Sequence, residues 1–284
     1  MSTKHFYKKL ISRFSRKPPK TSYLFPVAGA LALSMLFVLW RYGVLEGKGS
    51  LPPPQAYGEL HTSASPEVSV SPSSQKTPSS PAQSVLPKIL GSDVSLPDQI
   101  NLAVPFTSQA PHKNWDTPYK EFCEEASALM AASFIKGADI PNADFANIEL
   151  LKIKAFEERR FGYYEDTTAI ETAIILREYF SVPRVDVRYD PDAADIKKAL
   201  AEGKAVIVPA AGRELPNPYF RRPGPLYHML VIKGYTKDGR FITNDPGTRR
   251  GADFLYDPDA LLGAVHDWNG GNVEEGRRVM IVVG

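Results

Sequence analysis

The sequence contains a single cysteine, Cys123, among its 284 residues. One cysteine cannot form a disulfide within the chain, so the fold must be stabilised without covalent cross-links. A lone thiol is either a small buried hydrophobe or a group retained for its reactivity. Both interpretations stay open until the surroundings of the thiol are considered.

Other site types also lack their characteristic residues. There is no cysteine cluster, no closely spaced histidine pair and no glycine-rich phosphate loop, so neither a structural zinc site nor a nucleotide site is expected. Residues 1–97 carry 11 of the 34 Lys and Arg but only 4 of the 32 Asp and Glu, which leaves residues 98–284 net acidic. A net acidic domain argues against a nucleic-acid surface. We therefore expect no cofactor, no metal ion and no nucleic-acid partner.

The composition divides the chain into four segments. Residues 1–22 are basic, and residues 23–42 contain the uncharged run YLFPVAGALALSMLFVLW, which is about long enough to cross a bilayer as a helix. Because basic residues favour the cytoplasmic side, these two segments predict a single-pass cell-membrane anchor with the rest of the chain outside the cytoplasm. A cleaved signal peptide is the alternative. Residues 43–97 are rich in Pro and Ser and predict a disordered linker, and residues 98–284 predict one folded domain.

The domain predicts an α+β fold, with helices concentrated before an antiparallel sheet. Apolar periodicity and turn residues indicate helices near 122–137, 144–160, 166–180, 190–203 and 257–268, and strands near 100–106, 182–189, 205–211, 227–235, 240–245 and 277–283.

Individual residues predict where one helix ends, where another begins, and which loop is long enough to be functional. Gly137 suits the end of the first helix. Asp166 or Thr167 is expected to cap the third helix, with a glutamate in its first turns. The proline-rich loop Gly212–Leu226 is long enough to be functional. The apolar positions of the second helix are Phe145, Ile148, Leu151, Ile153 and Phe156.

Four polar residues form a candidate catalytic set. Cys123 begins a helix, and a helix N-terminus beside a histidinium lowers a thiol pKa. His228 begins an apolar strand, and Asp245 follows 17 residues later, after one hairpin, so adjacent strands can bring the two side chains together. Gln109 could donate its amide, with the Cys123 backbone N–H, to an oxyanion.

Each of these residues also has a purely structural interpretation. Cys123 could be a buried core thiol and His228 a core histidine whose hydrogen bonds are satisfied. Asp245 could serve only as a turn residue in the Asn-Asp-Pro-Gly sequence, and Gln109 as an ordinary loop amide.

From about Val104 to the C-terminus, the sequence resembles the papain-like cysteine peptidases related to bacteriocin leader (double-glycine) processing peptidases, in particular their stand-alone C39-like relatives. The resemblance lies in VPFTSQ, the Cys123 helix, HMLVIKGY and the NDP that follows. It implies a papain-like fold, in which an N-terminal helical part packs on a C-terminal antiparallel sheet. It also implies hydrolysis of peptide or amide bonds, with Cys123 as nucleophile, His228 as general base, Asp245 as its orienting group and Gln109 as oxyanion donor. The expected partner is a peptide or protein substrate, with cell-wall peptides among the candidates.

One departure keeps a second function open. Related sequences often read Cys-Gly-Pro at the nucleophile, whereas this chain has Glu124 and Glu125 after Cys123. Carboxylates that face a thiol oppose thiolate formation. The alternative is therefore a catalytically silent peptidase-fold module that binds peptides or cell-wall fragments. A transferase or amidase would use the same catalytic set.

Overall fold

A seven-stranded antiparallel sheet is the frame of the domain in the computed structural model, which describes residues 50–59 and 96–284. The spatial order is strands two, seven, three, four, five and six, with the first strand paired to the end of the fourth. The strands are β1 (Ile100–Asn101), β2 (Val185–Tyr189), β3 (Ala205–Ala211), β4 (Tyr227–Tyr235), β5 (Phe241–Asn244), β6 (Phe254–Tyr256) and β7 (Val279–Val283).

Five α-helices surround this sheet in the described part of the chain, and the first of them lies in the core. Every residue of that helix is buried, which matches its composition of small and apolar residues on all sides. It packs mainly against β4 and β3. The predicted α+β class is confirmed. The helices are α1 (Cys123–Ile135), α2 (Ala143–Arg160), α3 (Ala169–Ile174), α4 (Ala193–Ala201) and α5 (Pro258–Ala264).

Gly137 ends α1 as the sequence predicts. Its φ of +59° lies in the left-handed region, which glycine adopts without steric cost. The Gly137 N–H donates to the carbonyl of Phe134, and the next N–H, from Ala138, donates back to Ser133. These bonds satisfy carbonyls that the last turn of a helix leaves without partners.

The apolar positions of α2 do not all face the core. Phe145, Ile148 and Leu151 are exposed, with 52% of Ile148 accessible to solvent. The buried face is instead Ala146, Leu150, Ile153 and Glu157. These positions share one side of a helix, but the face includes a glutamate, which an apolar pattern places in solvent.

The predicted cap of α3 is wrong. The hydroxyl of Thr168 accepts from the Glu171 N–H at 3.3 Å, and the Glu171 carboxylate accepts from the Thr168 N–H at 2.8 Å. This is a complete capping box, so α3 begins one residue later than a Thr167 cap and two residues later than an Asp166 cap would place it. The helix is then only six residues long and continues as a π-helical turn, Ile175–Tyr179.

Part of the predicted disordered linker belongs to the folded unit. The Gln55 N–H donates to the Asn101 carbonyl at 2.7 Å, and the Ala103 N–H donates to the Gln55 carbonyl at 2.8 Å. The Tyr57 ring packs edge-on against Phe134 of α1, with 5.5 Å between ring centroids. Residues 51–59 therefore lie beside β1, which is itself shorter than predicted.

The predicted basic segment and membrane anchor, residues 1–42, lie outside the described residues. Within residues 50–59 and 96–284, no helix has both the length and the apolar character needed to cross a membrane. The sequence did not predict the short strand β6, Phe254–Tyr256.

Candidate active site

A cavity of about 830 Å³ lies where the start of α1 meets the sheet. Cys123, His228 and Gln109 all line it. Asp245 is fully buried behind His228. The structure thus brings together the four residues that the sequence singled out, from segments more than 100 residues apart.

His228 and Asp245 form a buried hydrogen-bonded pair. His228 is the second residue of β4, and Asp245 directly follows β5, which pairs with β4 through the predicted hairpin. The His228 Nε2–H donates to Asp245 Oδ1 at 2.8 Å, and both side chains are at most 1% exposed. Because Nε2 carries the proton, Nδ1 carries the lone pair of the neutral ring. No residue in the described ranges forms a hydrogen bond with Nδ1.

Asp245 is held by two further side chains that the sequence analysis missed. Tyr256 of β6 donates its hydroxyl to Oδ2 at 2.7 Å, and Asn217 donates its amide to the same oxygen at 2.9 Å. Burial alone raises the pKa of Asp245, but the charge of His228 and the bonds from His228, Tyr256 and Asn217 outweigh it and lower the pKa. The carboxylate therefore stays ionised. Asn217 lies in the predicted functional loop, but no local pattern marks it or Tyr256.

Gly247 lies against the Cε1 edge of the His228 ring. A Cβ at this position would lie 2.8 Å from Cε1 of His228 and 2.9 Å from Cε1 of Phe220, closer than van der Waals contact permits. The Phe220 ring packs edge-on against the imidazole, with 5.2 Å between centroids. The turn after Asp245 thus passes close to the imidazole, and only glycine fits there.

The Cys123 thiol is bonded to Glu124. Cys123 is the first residue of α1 and 5% exposed, and its Sγ donates to Glu124 Oε2 at 3.0 Å. Burial raises the thiol pKa well above its ordinary value, and the Glu124 charge and hydrogen bond raise it further. A hydrogen bond to the backbone of Met229 acts in the other direction but is outweighed, so the pKa is raised where we expected the helix N-terminus to lower it. In the described part of the chain, the thiol has no hydrogen bond to His228.

The second glutamate, Glu125, has no hydrogen bond with the thiol in the described ranges. Glu125 of α1 and Glu157 of α2 are fully buried near each other, and none of their four carboxyl oxygens has a hydrogen-bond partner in the described ranges. Burial raises the pKa of Glu157 to about 8 and that of Glu125 well above its ordinary value, and the charge of Glu157 raises the pKa of Glu125 further. The pair therefore holds at least one proton at neutral pH.

Gln109 connects the loops around the site. Its Nε2 donates to the carbonyls of Tyr119 and Lys120 at 3.0 and 2.9 Å, just before α1 begins. Its backbone N–H donates to the carbonyl of Pro246, beside Asp245. Both side-chain hydrogens are thus engaged in this conformation. The oxyanion role of Gln109 stays a prediction, and its observed role is to join the two sides of the site.

Residues 50–59 and 96–284 contain no group of three or more His, Cys, Asp or Glu side chains placed to hold a metal ion. The site is composed of a thiol, an imidazole and carboxyl groups. These groups are suited to nucleophilic and acid–base chemistry.

The comparisons with known proteins point to one family. None of the curated proteins is significantly similar to this chain. A crystal structure of a protein described as a C39-like peptidase from Bacillus anthracis is similar at 14% sequence identity and a TM-score of 0.41, over 66% of this chain and 97% of that chain. The family model for the Peptidase_C39 like family matches residues 101–261. That span contains all four predicted site residues and more than half of the sequence, and it shows that the chain belongs to the Peptidase_C39 like family.

Proposed function

We propose that this protein is a cysteine hydrolase of peptide or amide bonds, with Cys123 as nucleophile, His228 as general base and Asp245 as the residue that orients the base. One observation carries the proposal. A histidine bonded to a buried, ionised aspartate lines the same cavity as a cysteine at a helix N-terminus. Nucleophile, base and orienting group are the parts that thiol acyl transfer requires.

The proposed reaction has two stages. His228 Nδ1 accepts the thiol proton as Sγ attacks the carbonyl carbon, and the imidazolium that forms is stabilised by Asp245. The imidazolium then protonates the leaving amine, which departs and leaves an acyl-enzyme. Water attacks this thioester with His228 again as base, releasing the acid and the thiol. The Cys123 backbone N–H, at the start of α1, is suited to bind the oxyanion because the first turn of a helix leaves its N–H groups without partners.

This mechanism requires the thiol to change partner. In the structure Sγ bonds to Glu124, so Cys123 must turn toward His228 before its proton is transferred. We expect substrate binding to drive this change, because an acyl group in the cavity displaces water and competes for the same space. Gln109 can assist the oxyanion only if its bonds to Tyr119 and Lys120 open.

The test combines hydrolysis with thiol labelling. Unbiased fluorogenic peptide pools are incubated with wild-type protein and with Cys123→Ala, His228→Ala and Asp245→Asn variants. We expect no turnover without Cys123 and a loss of about 10²- to 10⁴-fold without His228. His112→Ala is the matched control, because His112 is exposed and pairs with Asp144 outside the cavity. Rates of iodoacetamide labelling, measured against pH with bound peptide, should depend on His228 and not on His112. Equal turnover in the wild-type and Cys123→Ala proteins contradicts the proposal.

A second candidate is a peptide-binding module that does not turn over. The observation in its favour is the bond between the thiol and Glu124, together with the raised thiol pKa, because both disfavour the thiolate. This candidate predicts that wild-type and Cys123→Ala proteins bind the same peptides equally and that neither releases product. Mass spectrometry of the products separates hydrolysis from transfer to an amine.

The location of the domain outside the cytoplasm, on a single membrane anchor, is a proposal that rests on residues 1–42 alone. Carbonate extraction of membranes and protease digestion of intact cells test it. A mature N-terminus beyond residue 40 contradicts the anchor and supports a cleaved signal peptide.

A further inference from the structure

Three arginines on the sheet side of the cavity have no acidic partner. Arg221 lies in the loop Gly212–Leu226, and Arg249 and Arg250 follow the turn after Asp245. All three are exposed and line the cavity that holds Cys123 and His228. No carboxylate in the described ranges lies within ion-pair distance of them. Some arginines elsewhere on the domain have such partners, among them Arg160 with Glu178, Arg240 with Asp238, and Arg277 with Asp190. What distinguishes Arg221, Arg249 and Arg250 is that they line the cavity.

The loops that carry these arginines are fixed relative to the catalytic pair. Asn217, which donates to Asp245, also accepts from the Tyr219 N–H at 3.0 Å. The guanidinium of Arg250 lies over the Tyr219 ring, 5.0 Å from its centroid, so the two loops contact each other. The Gly247 N–H donates to Asp245 Oδ1 at 3.0 Å. The two loops are therefore anchored to the His228–Asp245 pair, and the Arg250 guanidinium is held against the Tyr219 ring.

Carboxyl groups line the part of the cavity wall formed near the start of α1: Glu121, Glu124 and Asp166. Burial raises the pKa of Glu124 well above its ordinary value, so this carboxyl contributes little negative charge at neutral pH. Lys120, in the same part of the wall, is paired with Glu121 at 2.9 Å. Burial, followed by the charges of Glu121 and Glu165, raises the pKa of Asp166 to about 6. A charge difference across a cleft orients a charged ligand, because the low-dielectric walls focus the field.

We propose that Arg221, Arg249 and Arg250 form an anion subsite that selects peptides carrying a carboxylate on the sheet side of the scissile bond. The predicted preference in hydrolysis rates rests on the proposed hydrolase function. A preference in peptide affinity does not, and it can be measured by binding alone. Guanidinium groups pair with carboxylates through two parallel hydrogen bonds, so an acidic side chain and a free C-terminal carboxylate are both suitable ligands. The acidic wall repels the same carboxylate if the peptide binds in the reverse direction.

The test uses internally quenched octapeptide pools in which one position at a time is fixed as Glu or as Gln. Each pool is made with a free C-terminal carboxylate and with a C-terminal amide, which separates the two carboxylate sources. We expect the wild-type protein to hydrolyse one Glu pool faster than the matching Gln pool, or the free-carboxylate pools faster than the amide pools, by about five- to tenfold. One exposed ion pair contributes up to about fivefold, and more than one arginine can contribute. The Arg249→Gln/Arg250→Gln and Arg221→Gln variants should reduce this ratio while their rates on the neutral pools change by less than about twofold. Because exposed charges are screened by salt, the ratio should also fall between 0.05 and 0.5 M salt.

Arg222→Gln is the matched control. Arg222 is exposed on the same loop, next to Arg221, but it does not line the cavity. The control should keep the wild-type ratio, and a ratio that falls equally in Arg222→Gln and Arg221→Gln overturns the subsite.

The possible outcomes separate the subsite from the hydrolase. Turnover that depends on Cys123 but shows no preference for a carboxylate overturns the subsite and leaves the hydrolase standing. If no pool is cleaved, fluorescence anisotropy of the same pools, unquenched, measures binding to the wild-type protein. Tighter binding of the carboxylate pools that is lost in Arg249→Gln/Arg250→Gln supports the subsite and overturns the hydrolase. Equal binding of the charged and neutral pools overturns the subsite.

Discussion

The buried Glu125–Glu157 pair makes the stability of the domain fall as pH rises, and Glu157→Gln should remove much of this dependence. The ordinary glutamate pKa of 4.5 rises to about 8 for Glu157 in the folded protein. Between these values the folded state retains a proton that the unfolded chain has released. The stability that this retained proton contributes is therefore fully present below about pH 4.5 and is lost as pH rises toward 8.

The magnitude follows from the shift. One retained proton changes the free energy of unfolding by about 1.4 kcal/mol per pH unit. Across the window from 4.5 to about 8, the loss is on the order of 5 kcal/mol, which is a large part of the stability of an ordinary domain. The glutamine in Glu157→Gln is neutral at every pH and can donate its amide to Glu125. We expect the variant to be roughly 2 to 4 kcal/mol more stable than the wild type at pH 8 and within about 1 kcal/mol of it at pH 5.

Urea unfolding of the full chain, followed by tryptophan fluorescence from pH 5 to 8.5, measures this difference. The matched control is Glu158→Gln, the same change at the next position, where the side chain is exposed and pairs with Lys154. The control should follow the wild-type profile within about 0.5 kcal/mol. If wild-type, Glu157→Gln and Glu158→Gln proteins show parallel profiles, then Glu157 is ionised in the core and the reasoning is wrong.

Two further predictions concern the His228–Asp245 pair. Tyr256→Phe removes the 2.7 Å bond to Asp245 and should lower the free energy of unfolding by about 1 to 3 kcal/mol in urea titrations, because that bond is buried and charge-assisted; a change below about 0.5 kcal/mol contradicts the assigned bond. Gly247→Ala places a Cβ 2.8 Å from the His228 ring and should reduce peptide hydrolysis at least about tenfold, since a displaced base is no longer within reach of the thiol. Gly263→Ala, which meets no atom within 4 Å, should leave hydrolysis unchanged, and equal rates in the two alanine variants contradict the role of Gly247.

The sequence predicts the fold where local patterns and buried surfaces agree. The α1 helix is made mostly of small and apolar residues after its first turn, and β4 and β5 are apolar runs separated by a Gly-containing turn, so their class and order could be read directly. The proximity of His228 and Asp245 followed from that hairpin. In these cases the information needed lies within about 20 residues of chain.

The sequence fails where a contact depends on distant segments. Glu157 is buried near Glu125, which comes from another helix, and no pattern within α2 shows this. Asn217 and Tyr256 reach Asp245 from a loop and from a short strand that the sequence analysis did not detect. Glu124 could be recognised as a departure, but whether it faces the thiol depended on the rotation of α1 against the sheet.

Asp245 accepts hydrogen bonds from β4, from the loop before it, from the turn after β5 and from β6. The set of hydrogen bonds that holds the partner of His228 is thus complete only after β6, the last of these segments to be synthesised, has joined the sheet. A chain that is still emerging from the ribosome, or one that is misassembled at this edge, has a thiol but no oriented histidine. For a hydrolase this dependence works as an intrinsic safeguard against premature activity, because competence to cleave arises together with the finished fold.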